Sequence, residues 1–222
     1  MEANILIIVP AYRAARYLPE LVRRITAIFP SGNLLIINDG SPDETDEILR
    51  DYNCHKISFE QNRGKGEALK VGFDYALDHG FEAVITIDAD LQHPPEDLRT
   101  FRDRYDKGDI LIGTRAMETR LMPWDRLVTN NLTSIIISIM GTIRMRDSQS
   151  GYRLIKAPVL RKMQLRSSRY DTESEMLFQA GYLGFTTAEV PIETVYEGSH
   201  SFINPLVDTG RFIRQIWKRL WY

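Results

Sequence analysis

Cysteine is nearly absent from this 222-residue chain, whose one thiol belongs to Cys54. A single thiol excludes an internal disulfide and a cysteine-rich metal knuckle, and it favours a reducing compartment. Excess charge of one sign is also lacking, because 28 Lys and Arg residues nearly balance 30 Asp and Glu residues and leave a formal charge of -2. This balance gives no overall reason to expect nucleic-acid binding, so we predict no nucleic-acid partner.

Long apolar segments are missing as well. The run over residues 5–10 has only strand length and follows Glu2 instead of a basic stretch, so it is typical of neither a signal peptide nor an anchor. Residues 132–143 are too short and too interrupted to cross a bilayer, which requires roughly 20 predominantly apolar residues. Linker-like composition is absent too, so we expect a single domain over residues 1–222.

Short apolar runs alternate along the chain with segments of helical periodicity. The strand-like runs are ILIIVP, NLLIIND, HKISF, AVITIDAD and DILIGT, and the segments predicted to be helical are 14–28, 43–51, 65–79 and 95–106. This alternation predicts an α/β fold with a mostly parallel central sheet flanked by helices. Ligands of such sheets bind beyond the carboxyl ends of the strands, and the polar motifs of this chain fall there.

The stretch DADLQHPPE follows the fourth apolar run and carries the most specific chemistry. Asp88, Asp90 and Gln92 alternate along a predicted extended strand end, so their side chains are expected to converge on one point. Mg²⁺ and Mn²⁺ prefer oxygen ligands and often share them with substrate phosphates, so this trio predicts a site for either ion. His93 has the opposite parity and is expected to point elsewhere, while the following proline pair ends the strand and begins a helix.

Two further loops have both a chemical and a structural interpretation. Asp39 and Asp43, in NDGSPDET, fit hydrogen bonds to a nucleoside, but they equally fit a turn and a helix cap. In NRGKGEAL, Gly64 and Gly66 permit a close backbone approach while Lys65 meets a phosphate at a helix start. This segment is not a P-loop, because its spacing differs from the Walker pattern.

The motifs VPAY, NDGSPDET, NRGKGEAL, DADLQHPPE, GTR and DSQSGYRL occur in the order and spacing of family 2 glycosyltransferases. The chain resembles their polyprenyl-phosphate branch, which is dolichol-phosphate mannose synthase-like, and the resemblance covers nearly the whole sequence. It implies a GT-A (Rossmann-like) fold, a nucleotide-diphosphate sugar donor and a bound Mg²⁺ or Mn²⁺. It also implies an inverting transfer of a hexose to a polyprenyl monophosphate at the cytosolic face of a membrane.

The same resemblance assigns roles to individual residues. The metal ligands it implies are Asp88, Asp90 and Gln92. The donor-binding residues are Pro10, Ala11, Tyr12, Asp39, Lys65, Asp88 and Asp90. The acceptor-binding candidates are Arg115, Arg126, Ser199 and His200. The residues expected to act in catalysis are Asp88, Asp90 and Arg115.

Arginines supply the cationic side chains that an acceptor phosphate requires. Arg115 follows the fifth strand at the functional edge and is the strongest candidate, with Arg126 and Arg153 as the others. The branch usually has Asn-Glu after the tyrosine of the first motif, whereas this chain has Arg13 and Ala14. GDP-mannose and a UDP-sugar are therefore both candidate donors.

The acceptor determines whether a general base is needed. A phosphate monoester has a second pKa of roughly 6 and is already an anionic nucleophile at neutral pH. A sugar hydroxyl requires a positioned carboxylate, for which the downstream candidates are Asp171, Glu173 and Glu175. These residues equally fit the first turn of a helix, where acidic side chains are favoured.

The end of the chain, DTGRFIRQIWKRLWY, has the pattern of an amphipathic helix over about residues 206–221. Its apolar and basic faces fit contact with a membrane surface, and they also fit packing on the domain or on a partner. Residues 127–143 are a second candidate interfacial element, and His200 either contacts the acceptor phosphate or orders its loop. We expect a cytoplasmic enzyme associated peripherally with the membrane, and a separate integral-membrane partner is a candidate.

Three alternatives to this function are open. The first is a family 2 enzyme that uses a sugar hydroxyl as acceptor. The second is a nucleotidyltransferase, which normally has a glycine-rich, arginine-containing loop where this chain has PAYRAARYL. The third is a noncatalytic nucleotide- or lipid-binding module, against which Asp88, Asp90 and Arg115 argue.

Overall fold

The computed structural model describes residues 3–115, 150–166 and 172–193, with Arg115 described as backbone only. The described strands are β1 (Ile5–Ala11), β2 (Leu34–Asn38), β3 (His55–Ser58), β4 (Ala83–Thr86), β5 (Ile110–Arg115), β6 (Arg153–Lys156) and β7 (Thr187–Ile192). The described α-helices are α1 (Leu18–Thr26), α2 (Thr45–Arg50), α3 (Lys65–Asp78), α4 (Leu98–Asp103), α5 (Ala157–Lys162) and α6 (Thr172–Tyr182). Short 3₁₀ turns cover Ser31–Asn33, Pro95–Asp97 and Tyr105–Lys107.

These strands form one seven-stranded sheet in the order β3-β2-β1-β4-β6-β5-β7. Strands β1 to β4 run parallel to one another, and β7 runs parallel to β5. Strand β6 is antiparallel to both β4 and β5. The predicted α/β fold with a mostly parallel sheet is therefore confirmed, and the reversed direction of β6 is a feature that apolar runs alone did not indicate.

Burial on both faces explains why the central strands read as nearly continuous apolar runs. On one face, Ile7 and Ile36 pack with Leu21 of α1 and Phe101 of α4. On the opposite face, the side chains of Leu6, Ile8 and Ile37 pack with Phe73 of α3 and Met176 of α6. Every residue of β2 is buried. The alternating directions of strand side chains thus feed two cores, one on each side of the sheet.

Strand direction brings the polar motifs to one edge. The carboxyl ends of β1, β2, β3, β4, β5 and β7 lie at the same edge of the sheet, as their pairings require. Because β6 runs the other way, its first residue, Arg153, pairs with Thr86 at the end of β4. Residues 150–152 therefore also reach the functional edge. None of the helices in the described ranges has the length and apolarity to cross a bilayer.

Candidate active site

The DADLQ segment forms a turn after β4. Strand β4 ends at Thr86, and Leu91 has a left-handed φ of 58°. The backbone N–H of Gln92 donates to Asp90 Oδ1 at 3.0 Å and closes the turn. Our expectation that Asp88, Asp90 and Gln92 alternate along an extended strand is wrong, because the strand ends before them. Their assignment as metal ligands stays a prediction.

Lys65, the first residue of α3, places its ammonium between two carboxylates. Lys65 Nζ lies 2.5 Å from Asp88 Oδ1 and 2.9 Å from Glu173 Oε1. Burial opposes the charge on Lys65, but the two carboxylates outweigh burial and raise its pKa. Burial likewise acts to raise the pKa of Asp88, and the Lys65 ammonium outweighs it and lowers that pKa. Lys65 and Asp88 are therefore stabilised as an ion pair beside the DADLQ turn, and Glu173 is the second carboxylate partner of Lys65.

The pKa of Asp90 shifts in the direction opposite to that of Asp88. Burial raises its pKa, and the negative charge of Asp88 raises it further. Two carboxylates that repel each other fit a divalent cation, which would relieve the repulsion, and the Gln92 side chain can add an amide oxygen. Among the described residues there is no group of three or more His, Cys, Asp or Glu side chains that could hold a metal. Two carboxylates suit Mg²⁺ or Mn²⁺, which commonly takes its other ligands from substrate phosphates and water.

Asp39, at the end of β2, organises the loop that leads to Lys65. Its carboxylate accepts the backbone N–H groups of Arg63 at 2.7 Å and Gly64 at 2.9 Å. The Asn62 side-chain amide donates a third hydrogen bond at 3.0 Å. Burial raises the pKa of Asp39, and the two backbone hydrogen bonds oppose that rise. Asp39 is 3% exposed, and its predicted contact with a nucleoside stays a prediction.

Gly40 allows the chain to turn directly after Asp39. Its φ is 63°, a left-handed conformation that L side chains adopt at a cost. A Cβ at this position would lie 2.3 Å from the carbonyl carbon of Gln61 and 2.5 Å from the backbone nitrogen of Asn62. The loops after β2 and β3 are therefore in backbone contact at Gly40, and a side chain there would separate them.

Tyr12 is the exposed aromatic side chain beside this loop. It is 45% exposed, and the guanidinium carbon of Arg13 lies 5.5 Å from the centroid of its ring. Arg13 has a φ of 53°, and its backbone N–H donates to Ser41 Oγ at 3.0 Å. Ala11 is buried, and its carbonyl accepts the Asp39 N–H at 2.8 Å. Of the three predicted donor residues at the end of β1, Pro10 is half-buried and Tyr12 offers an accessible ring.

The structure selects between the two interpretations of Asp43. Its Oδ1 accepts the hydroxyl of Thr45 at 2.6 Å and the Thr45 backbone N–H at 3.3 Å, at the start of α2. Its Oδ2 accepts the Ala15 backbone N–H at 3.3 Å. These contacts lower the pKa of Asp43 even though burial opposes the shift. Asp43 thus fixes the beginning of a helix and links it to the loop after β1.

Arg153 is not a candidate for the acceptor phosphate, and that interpretation is wrong. The residue is fully buried, with 0% exposure. Its Nε donates to the Ser150 carbonyl at 2.7 Å, and its Nη1 donates to the Glu173 carbonyl at 2.6 Å. The guanidinium therefore fixes the backbone on either side of the functional edge. The sequence did not reveal this use, because the Glu173 carbonyl lies 20 residues further along the chain and no local pattern links it to Arg153.

Gly151 is a site residue that our sequence interpretation missed, although it lies in the quoted motif DSQSGYRL. Its carbonyl accepts the Thr86 hydroxyl at 2.6 Å. A Cβ at Gly151 would lie 2.7 Å from both Asp88 Oδ2 and Lys65 Nζ. The bare backbone at this position therefore forms a wall beside the ion pair of Lys65 and Asp88.

His93, which follows the DADLQ turn, lies against the end of β7. Its Nδ1 is 3.3 Å from the Glu193 carbonyl oxygen, and its ring centroid is 5.9 Å from that of Tyr152. Asp97 Oδ2 accepts the Glu193 backbone N–H at 3.0 Å. The segment after the DADLQ turn thus holds the carboxyl end of β7 at the same edge as the site.

The predicted acceptor residues fall mostly outside the described ranges. Arg115 is the last residue of β5, where its backbone pairs with Ile192 of β7. The other predicted features outside the described ranges are Arg126, Asp171, Ser199, His200, the segment 127–143 and the C-terminal helical pattern. Their roles stay predictions from the sequence.

The fold defines the class of protein. The crystal structure of glucosyl-3-phosphoglycerate synthase from Mycobacterium tuberculosis, in complex with Mn²⁺, UDP and glucosyl-3-phosphoglycerate, superposes with a TM-score of 0.76. The alignment covers 98% of this chain and 80% of that chain at 16% sequence identity. The fold of this chain is therefore that of the GT-A glycosyltransferases.

The sequence comparison identifies the family within that class. Residues 6–163 match the family described as Glycosyl transferase family 2. Polyprenol monophosphomannose synthase from Mycolicibacterium smegmatis is 33% identical over 200 residues, which cover 84% of this chain and 76% of that protein. UDP-N-acetylglucosamine–dolichyl-phosphate N-acetylglucosaminyltransferase from Methanococcus voltae is 32% identical over 216 residues, covering 86% of each. Undecaprenyl-phosphate mannosyltransferase from Micrococcus luteus is 29% identical over 203 residues, which cover 86% of this chain and 84% of that protein. The chain belongs to glycosyl transferase family 2 and is a glycosyltransferase.

Proposed function

We propose that the protein transfers a hexose, with inversion, from a nucleotide-diphosphate sugar to a polyprenyl monophosphate. Two of the three relatives named above are named for mannose and the third for N-acetylglucosamine, yet each of their names contains a polyprenol or its phosphate. This common acceptor supports a polyprenyl phosphate for the present chain. It leaves GDP-mannose and a UDP-sugar as the two candidate donors.

The observation that carries the proposal is the turn of Asp88, Asp90 and Gln92 next to the start of α3. These residues would hold Mg²⁺ or Mn²⁺, which when bound supplies positive charge for the departing diphosphate. Lys65 adds a fixed cation beside them. An ammonium has three donor protons, and the contacts with Asp88 and Glu173 account for two of them. The third proton is suited to a phosphate oxygen of the donor.

The internal contacts of the acidic residues in α6 favour a phosphate acceptor over a sugar hydroxyl. Glu173 is 4% exposed and bound to Lys65. Glu175 is 6% exposed and accepts the Arg166 backbone N–H at 3.0 Å and the Gln179 side-chain amide at 3.2 Å. Neither of these carboxylates is placed to take a proton from an incoming hydroxyl, and Asp171, the third candidate base, lies outside the described ranges. An ionised phosphate monoester needs no such base, and Arg115 at the end of β5 is the proposed cation for it.

A polyprenyl phosphate is held in a membrane, so this acceptor requires the protein to work at a membrane surface. We place the reaction at the cytosolic face, where nucleotide sugars are available to a peripherally bound enzyme. The amphipathic pattern near residues 206–221 is the proposed contact.

The test is a transfer assay with a panel of GDP- and UDP-sugars, undecaprenyl phosphate in detergent or liposomes, and Mg²⁺ or Mn²⁺. We expect mass spectrometry of the lipid to detect one hexosyl phosphoryl polyprenol, made from one donor of the panel. Saccharides with free hydroxyl groups serve as competing acceptors in parallel samples. Transfer to a saccharide without any transfer to the lipid phosphate would refute the proposal.

A further inference from the structure

One carboxylate oxygen of Glu173 is buried, although none of the described residues forms a hydrogen bond with it. The residue is 4% exposed, and its Oε1 accepts from Lys65 Nζ at 2.9 Å. Its Oε2 is buried and has no hydrogen-bond partner among the described residues. A buried carboxylate oxygen without a partner costs stability, so its presence calls for a functional reason.

The position of Glu173 is held by several independent contacts. Arg153, itself fully buried, donates to the Glu173 carbonyl at 2.6 Å and so anchors the first turn of α6. Lys65, which pairs with Glu173, lies against the backbone of Gly151. A Cβ at Gly151 would lie 2.7 Å from Lys65 Nζ and from Asp88 Oδ2. Lys65 Nζ is therefore held between the carboxylates of Asp88 and Glu173, against the backbone of Gly151.

We propose that Glu173 is a positioning residue of the metal site, which shares the Lys65 ammonium with Asp88 and so keeps Asp88 available to a divalent cation. The inference rests on the proposed function, in which Asp88 is a metal ligand. A cation and Lys65 compete for the same carboxylate. Glu173 offers Lys65 a second anionic partner whose Oε2 can accept an additional hydrogen bond. Without the charge of Glu173, Lys65 would pair with Asp88 alone and oppose metal binding.

The experiment measures Mn²⁺ affinity by electron paramagnetic resonance of the free ion, with UDP and GDP added in separate samples. Glu173→Gln retains the shape of the side chain and removes its charge, and we expect it to weaken Mn²⁺ binding about tenfold, as partners of metal ligands commonly do. Glu175→Gln is the matched control, because Glu175 is equally buried in the same helical turn and contacts Arg166 and Gln179. It should leave Mn²⁺ affinity unchanged.

A second variant tests the role of Lys65 in this effect. In Lys65→Met/Glu173→Gln the competing ammonium is gone, so Mn²⁺ affinity should return to at least the wild-type value. A double variant that binds Mn²⁺ as weakly as Glu173→Gln would overturn the inference. Mn²⁺ affinity of Glu173→Gln equal to that of wild type, or an equal loss in Glu175→Gln, would also overturn it.

Two further results separate the remaining cases. If Glu173→Gln does not fold, Glu173→Asp retains the charge but withdraws it by one methylene group, and a loss of about threefold in Mn²⁺ affinity is expected. An unchanged affinity in that variant would overturn the inference. If the wild-type protein itself binds no Mn²⁺ and transfers no sugar, the proposed function fails, whereas normal wild-type binding with an unaffected Glu173→Gln rejects only the role of Glu173.

Discussion

Asp90 lies in a turn with Asp88, and burial together with the charge of Asp88 raises its pKa. A carboxyl whose pKa is higher in the folded than in the unfolded chain destabilises the fold when it is ionised. This cost is present at neutral pH and disappears as the pH falls through the raised pKa. The same negative charge is what a divalent cation requires, so stability and metal binding make opposite demands on this residue.

Asp90→Asn should therefore separate stability from activity. We expect the metal-free variant to melt about 1 °C higher than wild type at neutral pH, an advantage that shrinks as the solution is acidified. Its transfer rate should fall by more than about 100-fold. Asp78→Asn, on the exposed end of α3, is the control and should change neither property. Near-normal turnover of Asp90→Asn with Mg²⁺ or Mn²⁺ would sink the metal assignment.

Arg115 is assigned to the acceptor and not to the donor. Arg115→Ala should reduce the transfer rate more than about tenfold, since charge-assisted contacts to phosphate are lost. Nucleotide affinity, measured by calorimetry with UDP and GDP, should change less than about twofold, because other loops form the donor site. Arg99→Ala, an exposed arginine of α4, controls for the loss of a surface charge. Unchanged transfer kinetics in Arg115→Ala would refute this role.

At the scale of the elements, the sequence predicted the strands β1 to β5, but it did not predict their pairing partners. Helix α3 was predicted over 65–79 and observed over Lys65–Asp78, because its apolar periodicity is sustained over several turns. The prediction over 95–106 was too long, since that segment begins with a 3₁₀ turn and its α-helix covers only Leu98–Asp103. Strands β6 and β7 were not predicted. The direction of β6 is fixed by its pairing with β4 and β5, and that of β7 by its pairing with β5, and local periodicity contains no information on such pairing.

Site positions followed from the same reasoning, whereas site contacts did not. Asp39, Lys65 and Asp88 were expected at the carboxyl edge because each follows an apolar run. Their hydrogen-bond and ion-pair partners could not be predicted, since Glu173 and Gly151 come from elements distant in the chain. A pattern read along one segment shows where a side chain lies in the sheet and gives no information about which other segment meets it.

The contact between the loops after β2 and β3 can be tested at Gly40. Gly40→Ala introduces a Cβ that would lie 2.3 Å from Gln61 backbone, in addition to the cost of a left-handed φ of 63°. Gly80→Ala is a matched control, because Gly80 has a φ of 73° and nothing lies within 4 Å of its added Cβ. In urea unfolding we expect a loss of about 1 kcal/mol for Gly80→Ala and at least 2 kcal/mol more for Gly40→Ala. Equal losses in the two variants would show that the contact is unimportant.

At the scale of the whole molecule, chemistry and membrane contact are expected to depend on different parts of the chain. The loops that we propose to bind the donor follow β1 to β4 and are described by the structure, whereas the basic, apolar C-terminal pattern lies outside the described ranges. Each basic residue near an anionic surface contributes about 1 kcal/mol to membrane binding, and this part weakens with salt.

Removing residues 211–222 should therefore release the protein from anionic liposomes while nucleotide binding with metal survives. Liposome flotation at low and high salt measures the first effect, and calorimetry with UDP and GDP measures the second. Unfolding of the truncated chain would assign this segment to the core instead. Undiminished liposome binding by a folded truncation would place the membrane contact elsewhere, with residues 127–143 as the next candidate.

The reversal of β6 has a consequence for how such an enzyme diversifies. Strand β5 ends and β6 begins at the same edge of the sheet, so the residues that flank the segment 116–149 lie at neighbouring strand ends. For a flexible connecting segment, doubling its length adds only about 0.6 kcal/mol to the entropic cost of holding its two ends together. A change of length between these two strand ends is therefore compatible with the same strand register. Relatives can thus differ in this segment, where we predict the acceptor residue Arg126, while they retain the loops after β1 to β4.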